Sequence, residues 1–111
     1  RLMSTSTDKG VSWGTATSQS QLIEPGCDGD CIRYTSTVDG FNKSRLLHSI
    51  PFNSTTRKNV SVFISYDEGT GWNTNKTIFP QSAAYSSLTI LPDGTIGIYY
   101  ECGEYKTNKE F

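Results

Sequence analysis

Tyr85 and Glu101 are the residues whose relative placement follows from spacing alone. Tyr85 lies six positions before Leu91 and Glu101 six positions after Thr95, on either side of Leu91-Pro92-Asp93-Gly94-Thr95. Proline preset for the second turn position and glycine suited to the left-handed region predict a three-residue loop that pairs Leu91 with Thr95. With two regular strands the count sets a phenol and a carboxylate side by side on one face; a bulge would offset them by one residue. A second group is Cys27 and Cys31, which flank Asp28-Gly29-Asp30. A zinc site needs about four ligands, and the chain has three cysteines and one histidine, His48. The pair reads better as a local disulfide or as ordinary thiols, and the odd count leaves Cys102 or another cysteine unpaired. His48, in Leu46-Leu47-His48-Ser49, reads as a strand residue.

The elements that must position these groups are short strands. Leu2–Thr7, Cys31–Thr37, Arg45–Ile50, Val60–Tyr66, Ser86–Leu91 and Thr95–Tyr100 are β-branched or aromatic runs bounded by Gly, Pro, Asn or Asp. Val60 to Tyr66 shows the period-two alternation of a half-buried strand, and no segment keeps helical spacing for three turns. The fold class is therefore all-β. The 111 residues allow one small domain; 34% are hydrophobic and 12% aromatic, which excludes a disordered chain. Ten basic residues against 11 acidic ones give no reason to expect nucleic acid or an anionic membrane as partner. No apolar run approaches the roughly 18 residues of a membrane helix. The chain opens on Arg1-Leu2-Met3, in what reads as the middle of an element, and is expected to be part of a longer protein. Sequons at Asn42, Asn53, Asn59 and Asn75 predict a secreted, lumenal or cell-surface protein.

One pattern repeats. Ser6-Thr7-Asp8-Lys9-Gly10-Val11-Ser12-Trp13 and Ser65-Tyr66-Asp67-Glu68-Gly69-Thr70-Gly71-Trp72 share Ser-x-Asp-x-Gly-x-x-Trp, 59 residues apart. In each, Asp can accept backbone N–H bonds, Gly can take a turn conformation other residues resist, and Trp can cover the loop. The pattern resembles the Asp-box of sialidases and other Asp-box propellers, where it is a structural turn on the outer rim of the blades. Neither Asp8 nor Asp67 is expected to be catalytic. At roughly 40–50 residues per blade, the chain is expected to supply two to two and a half antiparallel blades of a six-bladed β-propeller.

The later half resembles the sialidase family in order and spacing through Arg57-Lys58-Asn59-Val60-Ser61-Val62, the second Asp-box, Ala84-Tyr85-Ser86-Ser87-Leu88, Leu91-Pro92-Asp93-Gly94-Thr95-Ile96-Gly97 and Tyr99-Tyr100-Glu101. The resemblance implies that Arg57 is one of three arginines gripping the sialic acid carboxylate, that Tyr85 is the nucleophile, and that Glu101 orients another arginine of the triad. The earlier half is similar through Leu22-Ile23-Glu24-Pro25-Gly26-Cys27, but a family Cys-Gln-Gly-Ser turn reads Cys27-Asp28-Gly29-Asp30 here, near the glycerol-binding side. Arg1 resembles an arginine that begins a strand before an Asp-box. Residues 1–111 then form a partial sialidase propeller, with Asp-boxes at 6–13 and 65–72. The activity implied is retaining hydrolysis of terminal sialic acids from glycoconjugates, with no metal or organic cofactor. The remaining arginines, the aspartate acid/base and the glutamate that deprotonates the tyrosine are expected outside the chain, which alone is expected to be inactive. A trans-sialidase and a non-catalytic, sialic-acid-binding Asp-box propeller are the alternatives. Tyr99, Tyr100, Glu104 and Tyr105 have no assigned role.

Overall fold

The computed structural model describes residues 1–103; Glu104 and Tyr105 lie outside them. The strands are β1 (Leu2–Met3), β2 (Thr17–Ser18), β3 (Asp30–Thr35), β4 (Arg45–Pro51), β5 (Lys58–Ser65), β6 (Thr74–Ile90) and β7 (Ile96–Cys102), with one 3-10 turn at Thr37–Asp39. β1 and β2 form a two-stranded ribbon, and β3 to β7 pair antiparallel in chain order. The chain is all-β, as the strand reading expected, and its antiparallel sheets are the propeller blades that the Asp-box resemblance implied. No helix among the described residues is long and apolar enough to cross a membrane.

β6 belongs to two sheets. Residues from Thr74 to Ser82 pair with β5, and those from Ala83 to Ile90 pair with β7. The first half completes a four-stranded blade of β3, β4 and β5; the second half starts a hairpin that lies on one face of that blade. The ladder with β5 slips twice, between Lys58 and Val60 and between Val60 and Ser61. Pro80 stands at the first slip, where its missing N–H leaves no ladder bond unmade. The first half of β6 escapes a reading by alternation because Thr74 to Ile78 are all exposed polar or edge-facing residues. At the other end, the Leu2–Thr7 run forms a strand only over Leu2–Met3.

β4 is buried on both faces from Leu47 to Pro51. His48 and Ile50 face the main core, where Leu22, Ile50, Phe63 and Trp72 pack together with Leu46 and Phe52 against them. Full burial of each such aliphatic or aromatic side chain contributes about 1.5–3 kcal/mol. Phe52 meets Phe63 edge to face at 5.0 Å. Ser49 faces the opposite side, toward the β6–β7 hairpin, through a hydrogen bond with Ser86. Gln19 and Gln21 pin the lid of the core: Gln19 Nε2 donates to Gly69 O at 3.2 Å, and Gln21 Oε1 accepts from Trp72 N at 2.7 Å.

The two repeated motifs fold into the same turn, with three bonds in common. Ser6 Oγ donates to Asp8 Oδ1 at 2.7 Å while accepting from Gly10 N at 2.8 Å, and Ser12 N donates to Asp8 Oδ1 at 2.9 Å. Ser65, Asp67, Gly69 and Gly71 repeat this at 2.7, 2.9 and 2.8 Å. Lys9 and Glu68 sit at φ 61° and 58°, each followed by a glycine at φ 89° or 87°. Both aspartates are spent on their own loops, consistent with structural turns.

Gly29 lies against β4 so closely that a Cβ there would stand 2.1 Å from Ser49 O and 2.8 Å from Ile50 Cγ2. Gly29→Ala should cost about 1–3 kcal/mol, read as a lower urea midpoint. The Asp-box carboxyls give a pH signature. Donors from Ser12 and Ser6 hold Asp8 at about 2 against an ordinary 3.8, and Gly71 N–H and Ser65 hold Asp67 low as well. Both folded values lie below the unfolded ones, so this stabilisation is complete above the unfolded pKa and is lost as pH falls through the folded pKa. Urea midpoints should decline from pH 3.8 to about 2. Asp8→Asn combined with Asp67→Asn should flatten that decline; an unaltered slope would contradict it.

Candidate active site

The slip between β5 and β6 gathers the charged and phenolic groups. Arg57 ends the loop before β5, and its carbonyl accepts from Ala83 N at 3.0 Å, which ties it to the crossover in β6. Its guanidinium carbon lies 5.2 Å from the centre of the Tyr85 ring, and Nη2 donates to Gly26 O at 3.4 Å. A guanidinium over an aromatic face is held by the ring quadrupole. Tyr85 is 47% exposed, so about half of the side chain is open to solvent.

The hairpin count holds from Ser86 opposite Tyr100 to Ile90 opposite Ile96. It slips at the residue of interest: Ala83 pairs with Cys102, leaving Ala84 and Tyr85 together opposite Glu101. This is a β-bulge, which turns a side chain away from its regular direction. Glu101 Oε2 takes the freed amide, accepting from Tyr85 N at 3.4 Å. Arg57, Tyr85 and Glu101 are therefore brought together, with Tyr85 and Glu101 offset across the bulge. A cavity of about 170 Å³ is lined by Arg57, Ser82, Ala83, Ala84, Glu101 and Cys102. Its small side chains leave room between the two charges.

The electrostatics favour anions beside Arg57. The Tyr85 side chain first, then Cys27 and Glu101, push the guanidinium pKa up and keep it cationic. Cys27 is buried beside it, and burial raises its thiol pKa against the pull of Arg57, which disfavours thiolate chemistry. Cys27, Cys31 and Cys102 are all free thiols. Among the described residues, no three His, Cys, Asp or Glu side chains cluster as metal ligands. His48 lies on the far face, buried against Trp72 with Nδ1 2.7 Å from Asp30 O. Arg1 is also committed, donating from Nη2 to Cys27 O at 2.8 Å.

Two features lay outside the sequence reading. The Gly26-Cys27 turn supplies a backbone partner for Arg57, and Cys102 lines the cavity. The position of Cys102, one residue past Glu101 on β7, was the available signal.

No family model matches the chain. A curated sialidase of Micromonospora viridifaciens is 36% identical over 105 residues, covering 93% of this chain and 16% of the relative. The crystal structure of the intramolecular trans-sialidase from Ruminococcus gnavus, in complex with oseltamivir carboxylate, superposes with a TM-score of 0.74 at 32% identity. That match covers 90% of this chain and 23% of the other. The chain thus spans about a sixth of the curated relative.

Arg57 contributes little packing, so its replacement should be readable in function without loss of fold. Arg57→Ala should lower stability by only about 0.5–1 kcal/mol, the value of an exposed cation–π contact. A loss several times larger in a urea melt would show that the side chain carries the fold.

Proposed function

Because the chain belongs to the sialidase family, we propose that it is part of an exo-α-sialidase that removes terminal sialic acids from glycoproteins, glycolipids or oligosaccharides with retention. The observation that carries this is the meeting of Arg57, Tyr85 and Glu101 at a strand bulge, beside a cavity that Arg57 and Glu101 line. Sialic acid bears a carboxylate on its anomeric carbon, and a guanidinium binds that group with paired, charge-assisted hydrogen bonds. Arg57 has the charge and the open cleft for this role.

The same carboxylate makes another carboxylate a poor nucleophile, because like charges would meet at the reacting carbon. A tyrosine, neutral until it loses its proton, avoids that repulsion; the tyrosine nucleophile of sialidases is a known departure from the two-carboxylate scheme. In this reading Tyr85 Oη gives its proton to a carboxylate from another part of the protein and bonds to the anomeric carbon. The glycosidic bond breaks, and the leaving oxygen takes a proton from a second such acid. Water then attacks the tyrosyl intermediate, and two inversions give retention. Arg57, 5.2 Å from the ring centre, sets a positive charge beside the reacting tyrosine. Glu101 touches the Tyr85 amide through one oxygen and has another to orient a second arginine.

The likeness to an intramolecular trans-sialidase favours a second reading, in which a hydroxyl of the substrate's own sugar replaces water. The released product would then be one water lighter than free sialic acid. Asn42 and Asn75 are exposed, which suits the secreted or surface location proposed from the sequons.

In the full-length protein, Tyr85→Phe should cut cleavage of a fluorogenic sialoside on the order of 10³-fold while retaining sugar binding. Unchanged cleavage would sink the nucleophile role. Binding without cleavage in the parent protein would favour the non-catalytic propeller. Mass spectrometry of the product separates hydrolysis from intramolecular transfer, and lactose as acceptor tests transfer between molecules.

A further inference from the structure

Tyr85 stands on a bulge, where the ladder to β7 is interrupted and the amide has one long bond to the Glu101 side chain, so its placement depends on what holds the strand to either side. Upstream, Ala83 N is tied to Arg57 O. Downstream, two side chains of the neighbouring blade reach across to the same strand. Asp30 Oδ2 accepts from Leu88 N at 2.8 Å and from Ser87 Oγ at 3.3 Å, and Ser86 Oγ donates to Ser49 Oγ at 2.8 Å. Asp30 and Ser49 are directly opposed on β3 and β4, so their side chains leave the blade on one face, side by side.

We propose that Asp30 and Ser49 are positioning residues for Tyr85, clamping residues 86–88 so that the bulged tyrosine is held under Arg57. Ser49 is fully buried, and Gly29 presses the turn before Asp30 against Ser49 O, so the clamp rests on a part of the blade that cannot shift. Leu88 N is a backbone donor with a charged acceptor, the stronger kind of hydrogen bond. It lies about 10 Å along the strand from Tyr85. The Asp30 carboxylate is thereby committed to the next strand.

This rests on the reading of Tyr85 as nucleophile, so the test needs one readout of geometry and one of catalysis. The full-length protein is labelled with fluorotyrosine, and the Tyr85 resonance is assigned by its absence in Tyr85→Phe. In Asp30→Ala that resonance should move, and kcat on a fluorogenic sialoside should fall at least about tenfold with KM nearly unchanged. Asp30→Asn keeps a carbonyl acceptor for Leu88 N and should restore both. Ser49→Ala, a smaller change that keeps the protein folded if Asp30→Ala does not, should move the same resonance and lower kcat about two- to fivefold. An unmoved resonance in Asp30→Ala or, where that variant does not fold, in Ser49→Ala overturns the proposal, as does failure of Asp30→Asn to restore the resonance. A moved and restored resonance alongside an active Tyr85→Phe keeps the clamp and sinks only the nucleophile reading.

Discussion

The structure depends on one strand serving two sheets. β6 runs for 17 residues, and every ladder bond it makes must go to β5 or to β7. A regular strand cannot satisfy both partners while the second sheet turns away from the first. The mismatch is taken up by slips on the β5 side around residues 78–81 and by the bulge at Ala84 and Tyr85 on the β7 side. Those irregularities are also where Arg57, Tyr85 and Glu101 meet. The candidate site is thus a product of the handover between blades.

Charge is used in two ways on the same scaffold. In the Asp-boxes each carboxylate accepts from donors of its own loop, which pulls its pKa down and commits it to the turn. In the cleft, Arg57 has one long bond to a backbone carbonyl and an aromatic face, and stays available. The distinction between a structural and a chemical charge lies in what already occupies its hydrogen-bonding positions. The sequence reading expected turns rather than chemistry at Asp8 and Asp67, and their local wiring agrees.

Much of this was legible from residues. Leu91-Pro92-Asp93-Gly94-Thr95 fixed the hairpin register from Ser86 to Ile90, because turn chemistry sets register locally. The same count could not locate the slip at Tyr85, since no glycine or proline marks it and the cause lies in β6 having a second partner. The outer half of β6 was invisible for a related reason: Thr74 to Ile78 are exposed, so no apolar alternation announces a strand. Asp30 read as a change near a sugar subsite, whereas the fold spends it on Leu88 and Ser87 of the next strand. Contacts between blades depend on tertiary placement and leave no periodic trace.

The matching Asp-boxes differ in how their tryptophans are buried: Trp13 is 66% exposed and Trp72 is 3% exposed, yet three serine and aspartate bonds are shared. The serine and aspartate bonds that close each loop span no more than four residues. Closing so short a loop costs little chain entropy, and burial of the tryptophan is not a condition for it. These reversals can therefore form on the timescale of local turns, before strands far apart in sequence have met. The box turns need no partner strand, whereas the shared strand with its tyrosine is defined only when β5 and β7 are both in place.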